Sequence, residues 1–434
     1  MKRRGPKLFT PAKADQKPWR DRLDIVDLCD DGRGLARRSG KAVFVRGGLP
    51  GEEVDARSER IGGRFDEAIV SGVLKASLHR IEPGCRHYEQ CGGCQLQHLG
   101  ADAQQAHKSR RFSALIERLG VGADAILPPL IAQPWHYRHR LRLHFAKSKG
   151  QFALGFRVAK SHRITEVPDC QVLRPALQAS LAQLYCDTSA LERMHSGMLM
   201  LAEAASGSVS AHLVLDRRPS QTAMSDFLAN FPLAVSGISV AGQSLWQPED
   251  QPDALYPGQN WRFRPDDFTQ VNPDINSAIV EQVCRWLDAK AGDQVMDAFS
   301  GLGNFSLALA ASGASITGIE QDAQMVARAS ANAQAWPLVR CVQGDLFSDA
   351  FRLPQGISSA VLDPPRAGAA ALCRQLAIST VQRIVYVSCD PATLERDAAI
   401  LLAGGYTLRQ ARWAEMFPQS YHMESLCLFE RRRV

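Results

Sequence analysis

Val295-Met296-Asp297-Ala298-Phe299-Ser300-Gly301-Leu302-Gly303-Asn304-Phe305 sets a short apolar run against a Gly-x-Gly turn, with helix-compatible residues behind it. Glycines at such a turn let the backbone approach a bound nucleotide closely. A dinucleotide fingerprint wants a third glycine at position 306, where this chain has Ser306. This weakens the NAD reading; it is with Glu320 and the motifs downstream that the turn points to a nucleoside cofactor. Glu320 ends the next apolar run, Ser315–Ile319, about 19 residues past the first glycine. A carboxylate there can accept hydrogen bonds from both ribose hydroxyls.

Further apolar runs follow at Ser359–Leu362 and Ile384–Val387, separated by helical patterns at 303–312, 322–335 and 391–403. This alternation predicts an α/β fold with a parallel sheet covered by helices on both faces. Ligands of such sheets bind at the carboxyl ends of the strands. Asp345 follows the run Val339–Val342 at that edge, and Asp363 opens Asp363-Pro364-Pro365-Arg366. Tyr386-Val387-Ser388-Cys389-Asp390-Pro391 ends there too. Asp390 is a good N-cap and Pro391 a good first helical residue. Cys389 is thus expected just before a helix N-terminus, where the dipole favours a thiolate.

Upstream, residues 21–78 read as a small β-domain. Leu23–Leu28 alternates, Ala42–Val45 is apolar, and Gly-rich turns intervene, which suggests a small barrel. Residues 79–98 are rich in Cys, Gly and His; a helical stretch follows at 101–119. Pro128, Pro129 and Pro134 mark a linker. From 135 to about 270 the pattern is mixed, with strands expected near 139–146, 151–158 and 209–215. In Trp135-His136-Tyr137-Arg138-His139-Arg140-Leu141-Arg142 basic and aromatic residues interleave. On a strand, Arg138, Arg140 and Arg142 share one face, as a phosphate-contacting stripe or a solvated one.

The 434 residues carry a formal charge of +6, and 45% are hydrophobic, as in a globular protein with a full core. No apolar run reaches the roughly 20 residues a membrane span needs. No apolar segment follows Met1-Lys2-Arg3-Arg4, so no secretory signal is read and a cytoplasmic location is expected. Residues 1–20 hold seven basic side chains against Asp15 and read as a flexible basic arm or a solvated tail. Eleven cysteines argue against a disulfide framework in such a chain. Cys85, Cys91 and Cys94 crowd a Gly-rich turn, with Cys170 the best fourth ligand; four thiolates suit zinc or an iron–sulfur cluster.

Four motifs together resemble the RNA uridine-5 methyltransferase family: Asp267-Phe268-Thr269-Gln270-Val271-Asn272, the glycine loop, Val387-Ser388-Cys389-Asp390-Pro391-Ala392-Thr393-Leu394, and Met416-Phe417-Pro418 with His422-Met423-Glu424. With the N-terminal β-domain, which looks like a TRAM (OB-like) barrel, and the four cysteines, the resemblance narrows to the RlmD-like branch that acts on 23S ribosomal RNA. It implies a Rossmann-like class I S-adenosylmethionine methyltransferase domain. It implies that Gln270, Phe299, Asn304, Glu320, Asp345 and Asp363 line the S-adenosylmethionine site. It implies a [4Fe–4S] cluster on Cys85, Cys91, Cys94 and Cys170, Cys389 as nucleophile and Glu424 as base. Ser300, Asp345 and Asp390 stand where other members have Cys, Asn and Asn. The expected organisation is a tail (1–20), a TRAM-like barrel (21–78), a central mixed α/β iron–sulfur and RNA-binding domain (79–265) and the methyltransferase domain (266–434). The expected partner is a structured loop of 23S rRNA with a flipped uridine, met by a monomer without a membrane. The rival readings are a methyltransferase for transfer RNA or another ribosomal uridine, an iron–sulfur redox protein that binds RNA, and an RNA-binding factor without turnover.

Overall fold

The computed structural model describes residues 17–148, 150–158, 161, 163–249 and 254–432, and the chain gathers into two units. The first takes the chain up to Pro83, Cys94–His107 and Gln419–Tyr421; the second takes Gly84–Gly93, Lys108–Pro418 and the chain from His422 on. Most of the expected basic arm, residues 1–16, lies outside the described residues.

In the first unit six strands form one sheet: β1 (Arg20–Asp24), β2 (Asp27–Leu28), β3 (Gly34–Arg38), β4 (Lys41–Arg46), β5 (Glu53–Ile61) and β6 (Phe65–Lys75), in the order β1-β5-β6-β4-β3-β2. The single strand expected over Leu23–Leu28 is broken. Ile25 bonds to Glu52 and Gly51, whereas Val26 donates to the Leu35 carbonyl, so the chain changes partner between them. Leu23, Ile25, Ala36, Val43, Val45, Val54, Ala56 and Ala68 fill the core at period two. Glu52 is fully buried, and Arg80 grips both its oxygens at 2.6 and 2.7 Å.

The second unit holds two seven-stranded sheets. One comprises β7 (Arg140–Ser148), β8 (Gln151–Arg157), β9 (Ile164–Thr165), β10 (Ser196–Glu203), β11 (Val209–Leu215), β12 (Ala234–Val240) and β13 (Gln243–Trp246), ordered β13-β12-β11-β10-β7-β8-β9. Leu177, Leu181 and Leu184 of a helix at Pro175–Cys186 pack on Leu143, Leu199 and Leu213 of this sheet. The other comprises β14 (Gln294–Ala298), β15 (Ser315–Glu320), β16 (Val339–Gln343), β17 (Ser359–Leu362), β18 (Arg383–Ser388), β19 (Tyr406–Ala414) and β20 (Glu424–Arg431), ordered β16-β15-β14-β17-β18-β20-β19.

Neighbouring pairs among β14 to β18 are parallel, as the sequence predicts. The sheet is not parallel throughout: β20 runs antiparallel to both β18 and β19. Both faces are covered, and the alternation shows how. Met296, Ala360, Leu362, Ile384, Tyr386, Cys427 and Phe429 face one apolar layer, with Phe112, Leu115, Leu372, Leu394 and Leu401 from helices. Val295, Val361, Val385, Val387, Leu426 and Leu428 face the opposite one, with Ile275, Ile279, Val283, Trp286, Phe305 and Leu309. A strand buried on both faces needs such continuous apolar runs. Among the described residues no helix is long and apolar enough to cross a membrane.

Phe429 of β20 is fully buried in the apolar layer on one face of this sheet, whereas Ile378 is 89% exposed. Phe429→Ala is expected to cost about 3–5 kcal/mol and Ile378→Ala less than about 0.5 kcal/mol, read from denaturant unfolding midpoints of the two variants.

Candidate active site

Parallel strands deliver their carboxyl ends to one edge, and the third sheet places the glycine loop, Glu320, Asp363 and Cys389 there. The loop turns sharply after β14. Phe299 takes φ +63°, Gly301 +55° and Gly303 +94°. A phenylalanine in the left-handed region is strained and persists only where its surroundings hold it; here its ring packs 5.4 Å from that of Phe347. Gly303 precedes the helix Asn304–Ala310. Glu320 braces the loop: one oxygen accepts from Gly301 N at 3.1 Å, and the other from Gln321 N and Asp322 N. Asn304 exchanges two amide hydrogen bonds, 2.9 and 3.0 Å, with Asn276 of the helix Pro273–Leu287.

The register of β18 against β20 pairs Ser388 with Ser425. The next residues beyond that pair are Cys389 and Glu424, so the pairing brings the expected nucleophile and the expected base together. Asp390 caps the following helix, accepting from Ala392 N and Thr393 N, with Pro391 in its first turn. Position before a helix N-terminus predicts a thiolate at Cys389, and the structure corrects this: the thiol is not acidic. Burial, with the Glu424 and Asp363 carboxylates adding to it and Arg366 opposing, pushes the Cys389 thiol up to about 12. Glu424 is buried, its Oε2 has no hydrogen-bond partner among the described residues, and burial with the nearby Asp363 raises its carboxyl well above the usual range. Asp363 accepts from Gln270 Nε2 at 3.3 Å, and burial lifts it to about 7.

Gln270 is held through its backbone, whose carbonyl accepts from the Tyr256 hydroxyl and lies 2.9 Å from His139 Nε2. Asp345 is exposed, its carboxylate accepting from Phe347 N at 3.0 Å. The arginine stripe is only partly a surface. Arg142 is exposed, but Arg140 bonds Thr269 and the Pro265 carbonyl, and burial beside Arg138 and Arg142 lowers it to about 10. Cys85, Cys91 and Cys170 belong to the second unit and Cys94 to the first. Burial raises the Cys91 thiol, with Cys85 adding to it, and Gly93 N donates to Cys91 Sγ at 3.4 Å. Two neighbouring thiols are the soft donors that iron or zinc takes, but among the described residues no three His, Cys, Asp or Glu form a group that could hold a metal ion.

Sequence reasoning assigns no role to Asp297, Asn276 or Arg366. Asp297 is fully buried in β14; Oδ2 accepts from Ser306 N at 2.8 Å and Ser306 Oγ at 2.6 Å, tying strand to helix across the glycine loop. Its signal is legible: a carboxylate inside an apolar strand has a specific partner. Arg366 is exposed, and its charge acts on both Cys389 and Glu424.

The family model described as tRNA (Uracil-5-)-methyltransferase matches residues 257–342 and 352–432. The chain is 38% identical to the 23S rRNA (uracil(1939)-C(5))-methyltransferase RlmD of Nitrosococcus oceani, over 95% of this chain and 96% of that protein. It is 39% identical to the same enzyme of Halomonas elongata, over 95% and 89%. Its fold is similar to that of the Pyrococcus abyssi tRNA (uracil-54, C5)-methyltransferase solved with S-adenosyl-L-homocysteine, with a TM-score of 0.69 at 22% identity, over 94% of this chain and 100% of that one.

With its thiol raised to about 12, Cys389 of the free protein is expected to react slowly with iodoacetamide at pH 7 and steadily faster up to pH 10. Mass spectrometry of the Cys389 peptide reads this; a rate that levels off by pH 8 contradicts the burial argument.

Proposed function

We propose that this chain, which belongs to the RNA (uracil-5-)-methyltransferase family, methylates carbon 5 of a uridine in 23S ribosomal RNA, at the position its RlmD relatives modify. The observation that carries the reading is the meeting of Cys389 and Glu424 beside the braced glycine loop. S-adenosylmethionine supplies an electrophilic methyl group at this edge. Gln270, Phe299, Asn304, Glu320, Asp345 and Asp363 are its proposed contacts.

Carbon 5 of uracil is too weak a nucleophile to take a methyl group unaided. Once its thiol proton is lost to solvent, Cys389 attacks carbon 6 as the thiolate; the S–C6 bond forms as the C5–C6 π pair moves towards carbon 5, which would then take the methyl as that group's bond to the sulfonium sulfur breaks and a neutral thioether leaves. Glu424 afterwards removes the proton from carbon 5. The C–H electron pair restores the C5–C6 double bond as the S–C6 bond breaks, and the thiolate leaves. Burial keeps the Glu424 carboxyl neutral in the free chain, so it must lose its proton before it acts; once ionised, its raised proton affinity makes it a stronger base than an exposed carboxylate. The uracil must leave the base stack to reach Cys389, so a flipped uridine in a structured loop is the proposed substrate. The six-stranded sheet of the first unit is read as a TRAM-like RNA-binding barrel. The chain is read as acting as a monomer in the cytoplasm, where ribosomal RNA is.

We assign Cys85, Cys91, Cys94 and Cys170 to an iron–sulfur cluster with a structural role. Cys94→Ser is expected to lose iron and to fold or bind RNA poorly; a well-folded, iron-free variant with full activity removes the cluster from function. The reaction itself is tested by transfer of labelled methyl to unmodified 23S rRNA and to tRNA transcripts, with wild type and Cys389→Ala. Label is expected on rRNA as 5-methyluridine and absent with the variant. Label on tRNA alone overturns the substrate, and undiminished label with Cys389→Ala overturns the mechanism.

A further inference from the structure

A lysine stands where an apolar residue would pack. Lys108 lies in the helix Ala101–Arg118, four residues before the buried Phe112, and none of its side chain is exposed. Its Nζ donates to Glu415 Oε1 at 3.1 Å and to the Phe417 carbonyl at 3.2 Å, and lies 6.0 Å from the centroid of the Trp413 ring. Glu415 is buried as well, and its backbone N–H donates to the Leu130 carbonyl at 2.8 Å. Burying both charges is expensive, and well-packed apolar residues in their place are often as stable or more so. The pair therefore calls for a reason other than stability.

Its position supplies one. Glu415 directly follows β19, and the connection it opens ends at Glu424, the first residue of β20. Lys108 takes hold of the first and third residues of this connection. Further along, the Phe417 ring packs edge-on to His422, 5.7 Å between centroids, two residues before Glu424. The Pro418 carbonyl accepts from the Tyr137 hydroxyl at 3.1 Å.

We propose that Lys108 is a positioning residue for Glu424: bonded to Glu415 and to the Phe417 carbonyl, it fixes the start of the connection whose far end presents the Glu424 carboxyl to the bound uracil. The proposal rests on the reading of Glu424 as the base that removes the carbon-5 proton. Its consequence is selective. Loss of Lys108 loosens Glu424 but leaves Cys389 in place, so the S–C6 bond still forms and its breakage slows.

The test measures SDS-resistant protein–RNA adduct and methyl turnover on a 23S rRNA fragment, for wild type, Glu424→Gln, Lys108→Met, Lys108→Arg and the double variant Lys108→Met with Glu415→Leu. Lys108→Met is expected to accumulate adduct, as Glu424→Gln does, with release slowed about 100-fold, the scale of a 1 Å misplacement. Lys108→Arg should recover part of the release rate. If Lys108→Met fails to fold, the double variant, which buries no unpaired charge, carries the test with the same expected adduct. Adduct and turnover that fall together, or release at the wild-type rate in a folded double variant, overturn the role of Lys108. Absence of adduct with Glu424→Gln overturns instead the reading of Glu424 on which the proposal stands.

Discussion

The chemistry proposed for this chain depends on β20 entering the sheet against the direction of β18. Parallel strands bring their last residues to one edge. An antiparallel neighbour brings its first residue to the same edge, and here that residue is Glu424, beside Cys389. Six of the eight residues of β20 are buried, and both neighbours pair with it. The strand is thus fixed by apolar packing on two faces and by backbone hydrogen bonds on two edges, and the carboxyl inherits that rigidity.

Rigidity comes with desolvation. Cys389, Asp363, Asp297 and Glu424 all have proton affinities raised chiefly by burial. In the free chain this edge favours neutral groups over charged ones. A poorly solvated site strengthens every remaining charge interaction, so the exposed guanidinium of Arg366 acts on both Cys389 and Glu424. The helix behind Cys389 is well capped by Asp390, yet its dipole is too small an effect to offset burial and two carboxyls.

Much of the α/β core was legible because strands buried on both faces write themselves as apolar runs: Ser359–Leu362 and the stretch around Ile384–Val387 are β17 and β18 almost to the residue. Capping chemistry placed the helix after Asp390 for the same local reason. What escaped was non-local. Nothing in Leu426–Phe429 says which way the strand runs, since alternation is the same in both directions. Charged, half-exposed strands such as Glu53–Ile61 carry a weak apolar signal. Leu23–Leu28 looks continuous, because a change of partner at Ile25 and Val26 leaves no mark on composition. Arg140 reads as a surface cation until the Thr269 and Pro265 oxygens that receive it are known.

The paired amides of Asn276 and Asn304 have a consequence for how this sequence can drift. Each side chain is the other's donor and acceptor. Replacing Asn304 alone strands the buried amide of Asn276, and replacing Asn276 alone strands the half-buried amide of Asn304, at a cost of about 1–3 kcal/mol. Replacing both by groups that pack against each other strands no amide, although it gives up the contact proposed between Asn304 and S-adenosylmethionine. The two positions therefore form one heritable unit, and their substitutions should covary among relatives although 28 residues separate them along the chain.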